Sequence, residues 1–366
     1  MNTRKLLLGT GILSLFLIFS AGVGISVGSS HIPLSHSIGY ILGHLPFAEP
    51  IITPNWSETE AAIIGKIRLP RVLLGILVGA SLSLAGVAFQ GVLRNPLADP
   101  YILGVSAGAS AGAATIIALG AGAAVTGGLA WHGTGLDRLA LTVAVLGRFA
   151  VPVAAFLGAM LALLLVFWLG RTERRLRPET LILSGVVVNS LFGAILTFAL
   201  TMVADNKTQQ IVLWLLGSLA LRGWEHGLTV LPFFLLGFVV IWSCSRELNA
   251  FAMGEKGAAS LGVHVERTKW ILLLTASLVT AVAVSSAGII GFVGLVIPHV
   301  VRMVTGSDHR VLIPLATLAG GIFLVLCDAI ARSVVPPFEL SIGVVTAAVG
   351  VPFFAWQLRR SRRGMW

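Results

Sequence analysis

Few residues in the apolar runs of this chain could do chemistry, and Asp328 is the clearest, with Arg332 four residues later on the same helical face. A carboxylate and a guanidinium at this spacing form a local ion pair, or inside a membrane could relay protons. The spans hold almost no other buried carboxylate, histidine or arginine, so the pair reads as structural, and a pump or proton symporter is disfavoured. His299, beside Pro298, reads as packed or hydrogen-bonded rather than metal-ligating. His31, His36 and His44 could ligate a metal, but their spacing matches no standard site. No G-x-x-x-x-G-K-[ST] occurs, since Gly254-Glu255-Lys256-Gly257 does not supply one. No Ser/His/Asp or paired-carboxylate constellation stands out either. The expectation is a non-enzyme with no catalytic residue, cofactor or resident metal.

The other polar feature is Arg94-Asn95-Pro96-Leu97-Ala98-Asp99-Pro100, set between two long apolar segments. Proline removes a backbone donor and pushes its predecessor out of helical geometry, so this stretch is a turn. A rigid charged turn between membrane helices is a candidate gate. Gly104, Gly108 and Gly112 follow it, and with Gly75 and Gly79 they repeat a spacing at which helix backbones approach closely.

The elements that must position these residues are membrane helices. The chain is 56% hydrophobic and 11% charged, against roughly 25% charged in a soluble domain, and its mean hydropathy is +0.95. Apolar runs near 6–28, 63–89, 102–120, 145–169, 180–204, 228–244, 270–286, 289–303, 311–331 and 341–358 give ten candidate spans. Arg4-Lys5 before Leu6–Ile25 resembles a signal peptide, but the run is long for one and reads as an uncleaved first helix. Gln210–Leu221 is too short to span and reads as interfacial or re-entrant. Residues 271–303 as one helix would run about 50 Å. The basic loops 245–269 and 302–310 both belong in the cytoplasm, which requires two crossings between them, broken near Ser285-Ser286-Ala287-Gly288. The second crossing is short and should be enclosed by other helices.

With both termini inside, 17 of the 25 Lys and Arg fall on cytoplasmic segments and 8 outside, while Asp and Glu divide 7 to 8. That is the positive-inside bias. The net charge of +10 sits in short loops and the C-terminal tail, a placement that orients a membrane protein rather than binding nucleic acid. Cys244 and Cys327 lie in apolar runs and imply no disulfide framework.

A polytopic chain with a polar gate, no ion relay and no nucleotide site needs energy from a partner. Met253–Gly262, within the cytoplasmic segment 246–269, is short, amphipathic and rich in small residues, which suits a helix seated in another protein's groove. An ordinary solvated loop is the alternative.

These residues carry a family resemblance. Arg68-Leu69-Pro70-Arg71, Gly79-Ala80-Ser81-Leu82, Gln90, Arg94–Pro100 and Leu103-Gly104-Val105-Ser106 resemble motifs of the FecCD permeases. So do Met253–Gly262, Gly288–Leu295, Pro298-His299 with Arg302, Asp308-His309-Arg310, Asp328 with Arg332, Glu339 and Gly343–Ala347. The match runs in order from about residue 60 to 358. It implies an all-α polytopic fold like that of vitamin B12 importer permeases, with about ten transmembrane helices including short and re-entrant ones. The whole chain, 1–366, would be one permease domain in the bacterial cytoplasmic membrane.

The implied function is the membrane subunit of a type II ATP-driven importer for a metal chelate, with iron–siderophore favoured over haem or cobalamin. A secondary transporter working alone is the rival outside the family. The implied partners are a second copy of the permease, two cytoplasmic ATP-binding subunits, an external substrate-binding protein and membrane lipid. Residue by residue, Asn95 and Leu97 match the cytoplasmic gate. Arg68, Arg71 and Arg332 match arginines that face acidic residues of the binding protein. Gly254, Glu255, Ala258, Leu261 and Gly262 lie in the segment that docks on the ATPase. The segments 29–62, 120–136 and 205–227 depart from the pattern. So does Arg177-Pro178-Glu179, which stands where relatives that carry vitamin B12 have a second gate loop of small polar residues.

Overall fold

The computed structural model describes residues 3–28, 32–44, 56–119, 137–172, 175–335 and 338–363. His31 and the Gly-rich stretch 120–136 lie outside them. Along the chain run α1 (Thr3–Ser26), α2 (Leu34–Gly43), α3 (Glu58–Val92), a 3-10 turn (Pro100–Leu103), α4 (Val105–Ala118) and α5 (Asp137–Gly170). After α5, Arg171–Thr172 and Arg175–Leu176 pair as a two-residue antiparallel ribbon, the one exception to an all-α fold among the described residues. There follow α6 (Pro178–Thr201), α7 (Asp205–Leu215), α8 (Trp224–Ser243), α9 (Ser245–Phe251) and α10 (Gly254–Ser260). The chain ends with α11 (Val265–Ala287), α12 (Val293–Thr305), α13 (His309–Ser333) and α14 (Ile342–Arg363).

Among the described residues, seven helices are long and apolar enough to cross a membrane (in α1, α3, α5, α6, α8, α11 and α13), and α4, α12 and α14 are shorter apolar helices. These coincide with the ten expected segments. Their outward faces are apolar: Leu15, Trp168, Leu183 and Val239 are each more than 60% exposed. A soluble protein rarely carries such a surface, whereas lipid accepts it without cost.

The break in 271–303 falls near Ser285–Gly288 as expected, with α11 ending at Ala287. Gly288 (φ +74°) then turns the chain, and Phe292 (φ +69°) precedes α12. Two other boundaries differ from the expectations. The expected Gln210–Leu221 helix begins earlier, with Asp205 favouring its first turn, and stops before Gly217 (φ +70°). Helix α3 also begins earlier than 63, at a capping box. There the Glu60 N–H donates to Ser57 Oγ at 3.2 Å, and the Ser57 N–H to Glu60 Oε2 at 2.7 Å. A π-turn at Ile64–Arg68 widens α3 just before Pro70, which relieves the clash its ring would otherwise make.

The chain divides into two compact units. The first holds Met1–Asp99, Gly217–Val279 and Ile290–Trp366, built around α3, whose apolar window is 89% buried. A methyl placed on Gly79 would overlap the Gly320 carbonyl of α13, and one on Gly320 would overlap the Gly79 carbonyl, so the two backbones are in contact there. The Ser83 hydroxyl adds a bond to the Ala316 carbonyl at 2.7 Å. On another face, Gln90 Nε2 donates to the Gly294 and Leu295 carbonyls at 3.3 and 3.2 Å, fastening α12 to α3. Helix α12 is about 20 Å long at ~1.5 Å per residue. It packs against α3, α13 and α14, the enclosure that so short a segment requires. The second unit holds Pro100–Leu216 with Thr280–Ile289. In it α4 and α5 cross at Gly108 and Gly158, with Gly112 against the Ala154 carbonyl.

Candidate functional site

The residues matched to docking, to the gate and to ATPase coupling, together with Asp328 and Glu339, lie in the first unit. They fall into two groups, at opposite ends of α3 and α13.

At one end, α1 finishes, α3 begins and α13 finishes. Asp328 pairs with Arg332 Nε at 3.0 Å, so the expected ion pair is formed. The same carboxylate also takes Arg71, from Nε at 3.0 Å and Nη2 at 2.9 Å, across 257 residues of sequence. Arg71 Nη1 reaches Glu339 Oε2 at 2.9 Å. The last turn of α1 presents carbonyls with no intrahelical partner and the negative end of a helix dipole. Two guanidiniums cap it. Arg68 Nη1 donates to the Ile25 and Ser26 carbonyls at 2.6 and 2.9 Å, and Arg332 donates to Gly24 (2.8 Å) and Val27. Gly28 follows because a methyl there would meet Arg68 Nη2 at 3.0 Å and Arg332 Nη1 at 3.4 Å.

The expectation that these arginines face a partner therefore meets a specific geometry. Arg68, Arg71, Asp328 and Arg332 are all buried and bound to internal partners, and only Glu339, 38% exposed, reaches solvent. A cavity of about 180 Å³, lined by Gly28, Ile63, Ile67, Arg68, Arg71, Arg332 and Glu339, opens over them. With Asp328 behind it, the cluster sets three guanidiniums against two carboxylates and carries one excess positive charge.

At the other end, α3 stops at Val92 and the turn begins. Arg94 takes a left-handed conformation (φ +50°), unusual for a non-glycine residue and costing on the order of 1–3 kcal/mol. The Asn95 N–H bonds the Gln90 carbonyl at 3.2 Å. Asn95 Oδ1 accepts the Leu97 N–H at 2.9 Å, and the Asn95 carbonyl accepts the Ala98 N–H at 3.0 Å. Asn95 thus spends its side-chain oxygen on an Asx turn, and Leu97 is left 38% exposed.

Beside this turn sit α9 and α10. Helix α10 ends in a Schellman motif, with the Gly262 N–H on the Ala259 carbonyl at 2.9 Å and the Val263 N–H on Ala258 at 3.1 Å. Gly254 (φ +85°) and Gly262 (φ +84°) are therefore the residues that start and stop this helix. Ala258 is fully buried, while Met253 and Leu261 are 70% and 62% exposed. Glu255 is bound by Lys269 of α11. Asn249 of α9 donates to Asp308 Oδ1 and accepts the His309 N–H, both at 2.8 Å, which ties α9 to the start of α13. Burial raises the Asp308 pKa, but its bonds from Asn249 and the Arg310 N–H outweigh that and hold the carboxyl below its ordinary value.

Of the other expected positions, Arg177 precedes α6 and Pro178 occupies its first turn, a helix start of ordinary form. His36 Nδ1 lies 3.0 Å from Glu60 Oε1 and His44 Nδ1 lies 2.8 Å from the Tyr40 carbonyl. His299 packs edge-on to Phe353. Sequence reasoning missed Lys269, whose only local signal is Glu266 three residues earlier. It also missed the capping of α1 by Arg68 and Arg332, which has no local signal.

Comparison with known proteins completes the picture. The FecCD transport family model matches residues 12–360. An uncharacterized ABC transporter permease protein of Bacillus subtilis is 43% identical over 95% of this chain and 92% of its own. The cobalamin import system permease protein of Halobacterium salinarum is 40% identical over 92% and 86%. The Fe(3+) dicitrate transport system permease protein FecD of Escherichia coli is 39% identical over 88% and 93%. Among solved structures, one described as an inward-facing metal-chelate type ABC transporter superposes with a TM-score of 0.77 at 29% identity, covering 96% of this chain and 98% of that one. Membrane-crossing helices, a buried charge cluster and a polar turn are thus the parts of a permease subunit whose ATP hydrolysis resides in a separate subunit, and the chain belongs to the FecCD transport family of ABC importers.

Proposed function

We propose that this permease carries an iron–siderophore across the bacterial cytoplasmic membrane by ATP-driven alternating access. What supports the reading is a pair of relatives of near-equal identity, one named for Fe(3+) dicitrate transport at 39% and one for cobalamin import at 40%. Cobalamin is the second reading, favoured by the second of these. Two copies of the chain would enclose the path, with two ATP-binding subunits below and a binding protein outside.

In this reading both termini are cytoplasmic, and the Arg68–Arg71–Arg332 end faces outward. A carboxylate of the binding protein enters the 180 Å³ cavity and exchanges with Glu339, the one exposed member of the cluster. Arginine suits that exchange because its planar fork pairs carboxylates bidentately. At the opposite end Leu97 closes the path, held by the Asn95 turn, and Met253 and Leu261 seat α10 in the ATPase.

Uptake by a strain lacking the gene, measured with labelled ferric hydroxamate, ferric dicitrate, haem and cobalamin, is the test. Loss of ferric uptake is expected. Loss of cobalamin uptake alone would favour the second reading, and undiminished uptake of all four would overturn both.

A further inference from the structure

Helix α10 is fastened to its surroundings at two points. Lys269, at the base of α11, has a side chain only 3% exposed. Its Nζ lies 2.7 Å from Glu255 Oε1 and 3.3 Å from Glu266 Oε1. Glu266 belongs to the same helix as Lys269, so Glu255 is the carboxylate that reaches it from α10. A buried ammonium separated from its carboxylate is costly. Helices α10 and α11 are therefore bound to move together. At the second point Arg94 bends into its left-handed conformation and lays its guanidinium against α10: a methyl on Gly254 would meet Arg94 Nη1 at 3.4 Å.

Both attachments fall on segments through which the chain passes between its two units. The turn holding Arg94 crosses at Asp99/Pro100, and α11 crosses at Val279/Thr280. A displacement of α10 is thus applied directly to two crossings.

We propose that Lys269 and Arg94 are positioning residues of the transport cycle: Glu255–Lys269 carries the motion of α10 into α11, and Arg94 carries it into the 94–100 turn. The proposal rests on the readings of α10 as the ATPase-docking helix and of Leu97 as the gate.

The experiment uses the full transporter with its ATPase subunits in proteoliposomes. Leu97→Cys in a Cys244→Ser, Cys327→Ser background is labelled with a water-soluble maleimide, with and without ATP, and ATP hydrolysis is measured alongside. ATP is expected to change the labelling rate. Lys269→Gln leaves Glu255 and Glu266, 37% and 34% exposed, to solvent, so no buried charge is orphaned. It should shrink the ATP-induced change by about tenfold, the effect of losing one charged hydrogen bond, and Arg94→Ala should shrink it as well, while hydrolysis and ATPase-subunit binding persist. Arg94→Lys and Lys269→Arg, which keep the charges, should each recover part of the change. A purely structural role would instead lower hydrolysis and labelling together and show no rescue by Lys269→Arg.

An undiminished ATP-induced change in both Lys269→Gln and Arg94→Ala would overturn the transmission alone. Two controls separate the underlying readings. If Met253→Glu with Leu261→Glu leaves ATPase binding intact, the docking reading fails. If ATP leaves labelling of the unaltered background unchanged, the gate reading fails. Either result takes the proposal down with it.

Discussion

Asp328→Asn removes the carboxylate that holds two buried guanidiniums, and its cost can be worked from the geometry. Arg71 contacts it at 2.9–3.1 Å and Arg332 at 3.0 Å, and all three side chains are buried. At an effective dielectric of about 20 one unit pair 4 Å apart is worth about 4 kcal/mol. Breaking a buried pair from one side costs about 3–5 kcal/mol, because the remaining charge stays desolvated. Two arginines lose a partner here, but each keeps another: Arg71 retains Glu339, and Arg332 retains the Gly24 and Val27 carbonyls. The expected loss is therefore at the low end, about 3 kcal/mol. Denaturant unfolding in mixed micelles measures it. Adding Arg71→Met should restore part of the stability, since it removes one orphaned charge. A loss below about 0.5 kcal/mol, the range of a solvated surface pair, would refute the assignment of a buried, shared carboxylate.

Three further outcomes are expected. Gly79→Leu drives a side chain into the Gly320 carbonyl and should destabilise by at least about 1–3 kcal/mol, the usual cost of overpacking; a thermal melt of purified protein matching the parent would contradict the close α3–α13 contact. Asn95→Ala removes the acceptor of the Leu97 N–H at a cost of about 1 kcal/mol. Uptake should fall while ATP hydrolysis by the assembled transporter continues, and Asn95→Asp, which keeps the acceptor, should retain more uptake. Asp308 caps α13 with a folded pKa below its ordinary 3.8. Its stabilisation is therefore present above 3.8 and lost as pH falls through the lowered folded value. Asp308→Ala should cost about 0.5–2 kcal/mol at neutral pH and flatten the acid limb of a stability–pH curve, and an unchanged limb would rule out this cap.

Sequence legibility followed the range of the interaction. The i,i+4 pair Asp328–Arg332 was readable because helical periodicity alone brings those residues together, and it is formed at 3.0 Å. The 94–100 turn was readable from its prolines, yet the left-handed Arg94 and the Asx bond of Asn95 were not, since several turn types fit that composition. Glycine spacing marked Gly79 as a contact position without naming Gly320 as its partner. Of the arginines matched to docking, nothing in the chain's order announces that Arg68 and Arg332 cap α1, or that Arg71 joins Asp328.

What the amino-acid order determined by itself is local. Apolar runs marked ten membrane segments, prolines and glycines ended them, and loop charge suggested an orientation, because hydropathy and turn chemistry act over a few neighbouring residues. Only the tertiary structure decided which charges meet. Arg71 finds Asp328 across 257 positions, and Lys269 finds Glu255 rather than only its own helix's Glu266. The physical reason is that a buried charge must be paired by whatever the packing of helices brings within about 3 Å, and that packing is set by the whole bundle at once.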